Sequence, residues 1–158
     1  MLKRGLCLIM TAIMLFSLSG CSDFLGGAFF LFLAASGDDR TAKDTILEFV
    51  SENEEGLLTA IESGDFSAFE NKGFIKDIDA SETVVDFSCG GAGIGSATSY
   101  VGFYYTPTND MAAAWCAPSS SSELIPSGNG YEWREPGGDN RYYTELICGN
   151  FYYYEASF

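Results

Sequence analysis

The 158-residue chain contains no histidine. Histidine is the base in Ser-His-Asp and Cys-His catalysis and a common ligand of protein-bound zinc. Catalytic and metal sites built on imidazole are therefore excluded, and the sequence predicts no cofactor and no metal site. The usual pH switch near neutrality is also missing, because histidine is the side chain whose unperturbed pKa lies there.

Basic residues are scarce. The chain has eight lysines and arginines and 22 aspartates and glutamates, so its formal net charge is −14. Such a chain repels phosphate backbones, which predicts that nucleic acid is not a partner. It also disfavours flat docking on anionic lipid. The acidity is typical of a surface that keeps a protein soluble.

Two motifs that resemble ligand sites are incomplete. The glycine-rich residues 90–95 lack the third glycine of a dinucleotide fingerprint and the lysine of a phosphate loop, so we interpret them as a connector between strands. Asp77-Ile78-Asp79-Ala80-Ser81 begins like a calcium loop, but Glu82 stands where that loop needs glycine. Neither motif predicts a site.

The N-terminus has the parts of an export signal. Lys3 and Arg4 precede an uncharged apolar run, residues 6–18, which is followed by Leu18-Ser19-Gly20-Cys21. This tetrapeptide resembles the lipobox of bacterial lipoproteins. The resemblance implies a diacylglyceryl group on Cys21, cleavage after Gly20, and attachment to the extracytoplasmic face of the cell membrane. Two acyl chains are enough for stable attachment.

The chain divides into residues 1–20, a lipoprotein signal peptide, residues 21–37, a lipidated anchor with an apolar segment, and residues 38–158, a single domain. The apolar residues 24–35 leave two alternatives open. Residues 5–35 stay uncleaved as one anchor, or an ordinary signal peptidase cuts after Ala34-Ala35-Ser36. Once cleavage has removed Cys7 and lipidation has used Cys21, three cysteines remain, and both buried thiols and a single disulfide fit that number: Cys89, Cys116 and Cys148.

Residues 38–64 predict a helix. Thr41 and Asp44 form a capping-box pattern, apolar residues recur at helical spacing, and Gly64 stands where a C-terminal glycine belongs. Gly56 is expected to bend or break this helix. Asp65 is expected to cap a short following turn that carries Phe66 and Phe69.

From Thr83 onward, alternating apolar and aromatic residues predict strands. They cover residues 84–89, 100–105, 131–134, 142–147 and 151–155, with a short candidate at residues 111–116. A helix followed by neighbouring strands indicates an α+β fold, in which the N-terminal helix packs on an antiparallel sheet of about five strands.

All tyrosines and tryptophans lie at or after Tyr100. Because side chains alternate between the two faces of a strand, the run Tyr152-Tyr153-Tyr154 can be buried only if both faces of the sheet are covered. These tyrosines and Trp133 are the predicted ligand-binding residues, for a glycan or an envelope protein. The opposing interpretation is that the rings form the core under the helix on one side and a half-exposed ladder on the other.

The predicted function is a membrane-anchored, non-enzymatic binding or interaction module. One alternative is a small envelope hydrolase, with a carboxylate pair drawn from Asp86, Glu132, Glu145 and Glu155. A second is a structural or assembly lipoprotein whose partner covers residues 24–35. The absence of G-x-S-x-G and S-x-x-K patterns favours the non-enzymatic function.

Overall fold

The computed structural model describes residues 42–70, 72–94 and 97–158. The predicted signal peptide, Cys21 and the apolar residues 24–35 lie outside the described residues. Helix α1 spans Ala42–Ser63 without a break at Gly56, so the predicted interruption is wrong. A Cβ on Gly56 would lie 3.5 Å from the Phe69 ring, an ordinary van der Waals contact, so this ring packs against the helix at Gly56.

A left-handed glycine ends α1, since Gly64 has a φ of 70°. The short helix α2, Ser67–Glu70, follows. The Asp65 carboxylate accepts a 3.1 Å hydrogen bond from the Ser67 backbone amide, as predicted for a cap.

Seven antiparallel strands form one sheet in the order β1-β2-β3-β7-β6-β5-β4. They are β1 (Asp77–Ala80), β2 (Val85–Ile94), β3 (Ala97–Tyr105), β4 (Ile125–Ser127), β5 (Gly130–Arg134), β6 (Arg141–Cys148) and β7 (Phe151–Ser157). The α+β class with an antiparallel sheet is confirmed, whereas about five strands is too few. The last strand in the chain, β7, lies at the centre of the sheet between β3 and β6.

Three local predictions differ from the structure. The glycine-rich residues 90–93 continue β2 and pair with β3, so they are not a connector. The strand candidate at residues 111–116 belongs to a segment, residues 106–124, that has no strand and is irregular apart from a 3-10 helix at Ser121–Glu123; we call it the cover loop. Strands β1 and β4 have only four and three residues, too few to show a clear alternation.

Helix α1 covers one face of the sheet. Its buried residues Ile46, Val50 and Leu57 belong to the same core as Phe87 and Phe103. The last two rings stack with centroids 4.5 Å apart, and neither is exposed. We call this side the helix face.

The cover loop lies against the opposite face. Its buried residues Ala114, Cys116 and Leu124 pack with tyrosines of β3, β6 and β7 in a second core. We call this side the loop face. Both faces of the central strands are therefore covered, one by a helix and the other by irregular chain.

Among the described residues, no helix is long and apolar enough to cross a membrane. The described cysteines Cys89, Cys116 and Cys148 are free, so the disulfide alternative is not formed in this structure.

Candidate functional site

The triple tyrosine is buried. The exposed fractions are 3%, 1% and 0% for Tyr152, Tyr153 and Tyr154. Tyr153 packs in the core on the helix face, and the other two pack in the core on the loop face. Their rings therefore offer no open surface to a ligand. Trp133 lies opposite Tyr142 on the loop face and is half-buried. Of the four predicted ligand-binding residues, it alone is partly accessible.

The tyrosine hydroxyls on the loop face hold the cover loop in place. Tyr104 and Tyr142 both donate to the backbone carbonyl of Met111, at 2.8 and 3.2 Å. Tyr152 donates to the side-chain carbonyl of Asn109. These bonds satisfy backbone and side-chain oxygens of residues 109–111, which lie outside any helix or strand, and this explains why this face uses tyrosine rather than phenylalanine.

An exposed aromatic cluster lies on the cover loop and the neighbouring strand ends. Trp115 is 59% exposed. Its ring meets Tyr100 edge-on at 5.0 Å and lies 6.4 Å from Phe158, centroid to centroid. Tyr100 and Phe158 are half-buried. We call these three residues the aromatic patch.

The sheet fixes the base of the aromatic patch. Phe158 and Thr98 exchange two backbone hydrogen bonds of 2.8 Å, which hold the Phe158 backbone beside β3. Tyr100 pairs with Gly91, and a Cβ on Gly91 would lie 3.3 Å from the Tyr100 ring. The missing side chain gives the Tyr100 ring room. The patch is therefore supported from below and open above.

Beneath this patch lies a buried carboxyl group. Asp86 is 7% exposed, and its Oδ1 accepts a 3.1 Å hydrogen bond from the Tyr154 hydroxyl. In the described part of the chain its Oδ2 has no hydrogen-bond partner. Burial, together with the negative charges of Asp79 and Asp77, raises the pKa of Asp86 from 3.8 to about 7, although the bond from Tyr154 opposes the shift.

Tyr154 connects Asp86 to the aromatic patch. The Trp115 side chain interacts with the Tyr154 hydroxyl, and Cys116, the next residue in the loop, lies within the field of Asp86. Burial first, and then the Asp86 charge, raise the pKa of the Cys116 thiol to about 12, so this cysteine stays protonated. Asp86 and Tyr154 are joined by a hydrogen bond, and the Trp115 side chain lies near the same hydroxyl, so the three residues lead from the sheet interior to the surface.

The other three strand acids lie on the helix face, away from Asp86. Tyr143 pairs with Glu132 on one side and Glu155 on the other, and Glu145 follows two residues later on the same face. Glu145 and Glu155 occupy diagonal positions on neighbouring strands, roughly 7–8 Å apart. Their backbone positions therefore bring these two acids onto neighbouring sites of one face, as a carboxylate pair would need.

Each of these glutamates is already engaged. Lys43 Nζ lies 2.6 Å from Glu145, to which the Tyr143 hydroxyl also donates. The Tyr153 hydroxyl donates to Glu155. Glu132 contacts Arg134, and Arg141 at 3.2 Å. These contacts tie the start of α1 to β6 and leave the carboxylates bonded to protein groups.

The pKa shifts of Glu132 and Lys43 favour the charged forms of these two residues. The hydrogen bond from Arg134 lowers the pKa of Glu132 despite some desolvation, so this residue is a poor general acid at neutral pH. Partial burial lowers the pKa of Lys43, but hydrogen bonds to Glu145 and Tyr143 outweigh it and the net change is upward. The network combines ion pairs at Glu145 and Glu132 with a tyrosine hydrogen bond at Glu155, and it resembles a structural clamp more than a catalytic dyad.

Sequence reasoning missed the aromatic patch and the burial of Asp86. Trp115 stands in an alanine-rich segment that was predicted to be a strand, and Asp86 occupies the alternate position to Val85 and Phe87, which suggests an outward side chain. The available signal was the tyrosine run itself, since burying it requires a cover on the second face. That cover is what places Trp115 above Asp86.

Comparison with protein-family models, curated proteins and solved structures found no match. Within the described ranges, no group of three or more cysteines, aspartates and glutamates is arranged to hold a metal ion.

Proposed function

We propose that the chain is a lipid-anchored, non-enzymatic binding module on the extracytoplasmic face of the cell membrane, and that the aromatic patch is its contact surface for a glycan or an envelope protein. The observation that supports this proposal is the 59% exposure of Trp115 between two supporting rings. Aromatic anchors of this kind dominate the energetics of binding surfaces. The lipobox resemblance at Leu18-Ser19-Gly20-Cys21 supplies the location.

The way in which the patch is held supports a binding role. Tyr100 and Phe158 brace the Trp115 ring, and Tyr154 contacts the same side chain from below. A rigid aromatic surface loses little conformational entropy when a ligand binds. The other large rings of the loop face are buried in the core, so ligand contact falls to the patch and to the accessible parts of Tyr131 and Trp133.

Replacing Trp115 by alanine is expected to weaken ligand binding roughly 30-fold or more, the usual loss for a central aromatic anchor. The fold should persist, because most of this side chain lies in solvent. The measurement is a glycan array, followed by titration of any bound glycan, alongside a pull-down from cell-envelope extract with the full-length protein.

Ile125→Ala is the matched control. Ile125 is 61% exposed, similar to Trp115, but lies on the edge strand β4, and its pairing with Glu132 places it on the helix face. It should leave binding unchanged. If the array and the pull-down are both empty for the native protein, or if the two variants bind equally, the proposed contact surface is wrong.

The anchor makes its own prediction. The mature protein should begin at Cys21, and its mass should include a diacylglyceryl group, which mass spectrometry of the protein purified from membranes measures. Cys21→Ser should move the protein from the membrane fraction to the soluble fraction, or leave its signal uncleaved, because the sulfur that carries the lipid is gone. A different mature N-terminus, or an unmodified sulfur, would refute the lipid anchor.

A further inference from the structure

We propose that Asp86 is a buried proton switch that controls how the cover loop packs on the sheet and how firmly Trp115 is held at the surface. The carboxyl group lies in the interior, with one oxygen bonded to Tyr154 and the other without a hydrogen-bond partner among the described residues. A neutral carboxyl group tolerates this environment far better than a carboxylate, because burying an uncompensated charge is costly. The regulatory meaning of the switch rests on the proposed function, but the switch itself does not.

Among the described residues, no basic side chain bonds to Asp86 or lowers its pKa. On β1, Asp79 lies directly opposite and Asp77 two residues away, and both are negative. On β3 the opposite residue is Tyr104, and from β7 Tyr154 reaches over Gly102 to the carboxyl group. The cover loop contributes Cys116, whose thiol stays protonated, and Asp86's own strand contributes Cys89, which is buried.

Ionisation of Asp86 would change the contact that reaches the surface. A carboxylate holds the Tyr154 proton strongly and repels the negative groups of β1, and its free oxygen needs solvation that the packed loop denies. Loosening the cover loop near Cys116 gives that oxygen access to water. Trp115 precedes Cys116 and contacts Tyr154, so it moves with the same segment. The cover loop is therefore packed on the sheet at low pH and loosened at high pH.

The test follows Trp115 directly. In the full-length protein with Trp133→Phe, Trp115 is the one remaining tryptophan. Its quenching by acrylamide is measured from ~pH 5 to ~pH 9. We expect quenching to increase with pH through a single transition with a midpoint near 7. Asp86→Asn, made in the protein that also carries Trp133→Phe, should show the low quenching of the acidic end at every pH in this range.

A second variant keeps the test decisive if Asp86→Asn does not fold. Asp79 is exposed, so Asp79→Asn should fold normally, and removing its charge should lower the midpoint by roughly half a pH unit. Glu82→Gln, an exposed acid in the turn before β2, should leave the midpoint in place. A flat profile, a transition that persists in Asp86→Asn, or an unshifted midpoint in Asp79→Asn would each overturn the switch.

The switch and the proposed function fail separately. If Trp115 quenching changes with pH but Trp115→Ala binds ligand as well as the native protein does, the switch is supported and the binding surface is refuted. If ligand binding requires Trp115 but quenching does not change with pH, the binding surface is supported and the switch is refuted. If both hold, the ligand should bind more tightly below pH 7 than above it, because the packed loop presents a preorganised ring.

Discussion

Gly102→Ala should destabilise the domain by roughly 3 kcal/mol or more, or prevent folding altogether. Gly102 lies in β3, next to the central strand β7. A Cβ there would collide with the Phe87 backbone carbonyl and would come within 2.8 Å of the Tyr154 hydroxyl. Moving the strand backbone would disturb the pairing of β2 with β3. Moving the tyrosine side chain would break its hydrogen bond to Asp86. Urea unfolding measures the loss.

Gly91→Ala is the matched control for Gly102. Both glycines lie in paired strands, but the nearest atoms to a new Cβ on Gly91 are 3.3 Å away, so a shift of a few tenths of an ångström relieves the contact. Its effect on the free energy of unfolding should be small by comparison. Equal stability of Gly102→Ala and the native chain would show that β3 does not approach Phe87 and Tyr154 as closely as described.

The free energy of unfolding should fall as the pH rises from about 4 to about 7, and Asp86→Asn should remove that fall. The pKa of Asp86 is raised from 3.8 in the unfolded chain to about 7 in the folded protein. Between these values the folded state binds more protons than the unfolded state, so stability decreases with rising pH. The difference in pKa corresponds to at most roughly 4 kcal/mol.

Because other acids titrate in the same range, the informative quantity is the difference between the two unfolding curves. Glu132, for example, has a lowered pKa and contributes stability that appears as the pH rises past its folded value. We expect Asp86→Asn and the native chain to be similar near pH 4, and the variant to be the more stable above pH 7. Identical curves at all pH values would show that Asp86 stays solvated in the folded protein.

The helix and the long strands could be predicted from periodicity, because each buries a regular stripe against one core. Residues 131–134, 142–147 and 151–155 fall within β5, β6 and β7. The same logic failed at β1 and β4, whose few residues gain stability from neighbouring strands rather than from their own pattern. It also failed at residues 90–93, where glycines remain in β2 because Tyr100 needs the space above Gly91.

The candidate site depended on a feature that has no periodic signal. The cover loop is rich in alanine and serine, and its packing is decided by tyrosine hydroxyls from three distant strands that bond to its backbone and side chains. Local sequence cannot show such long-range bonds. As a result the tyrosine run was correctly recognised as needing two covered faces, but the accessible ring proved to be Trp115 rather than Tyr152, Tyr153 or Tyr154.

The position of β7 has a consequence for how the domain matures. The strand that joins the two halves of the sheet is the last one to emerge from the ribosome, so β2 and β3 on one side and β5 and β6 on the other cannot unite until residue 157 has been made. Such long-range pairing is slow. Until β7 has been made, the two halves of the sheet therefore remain separate pieces, and both cores lack the central strand that contributes to each of them.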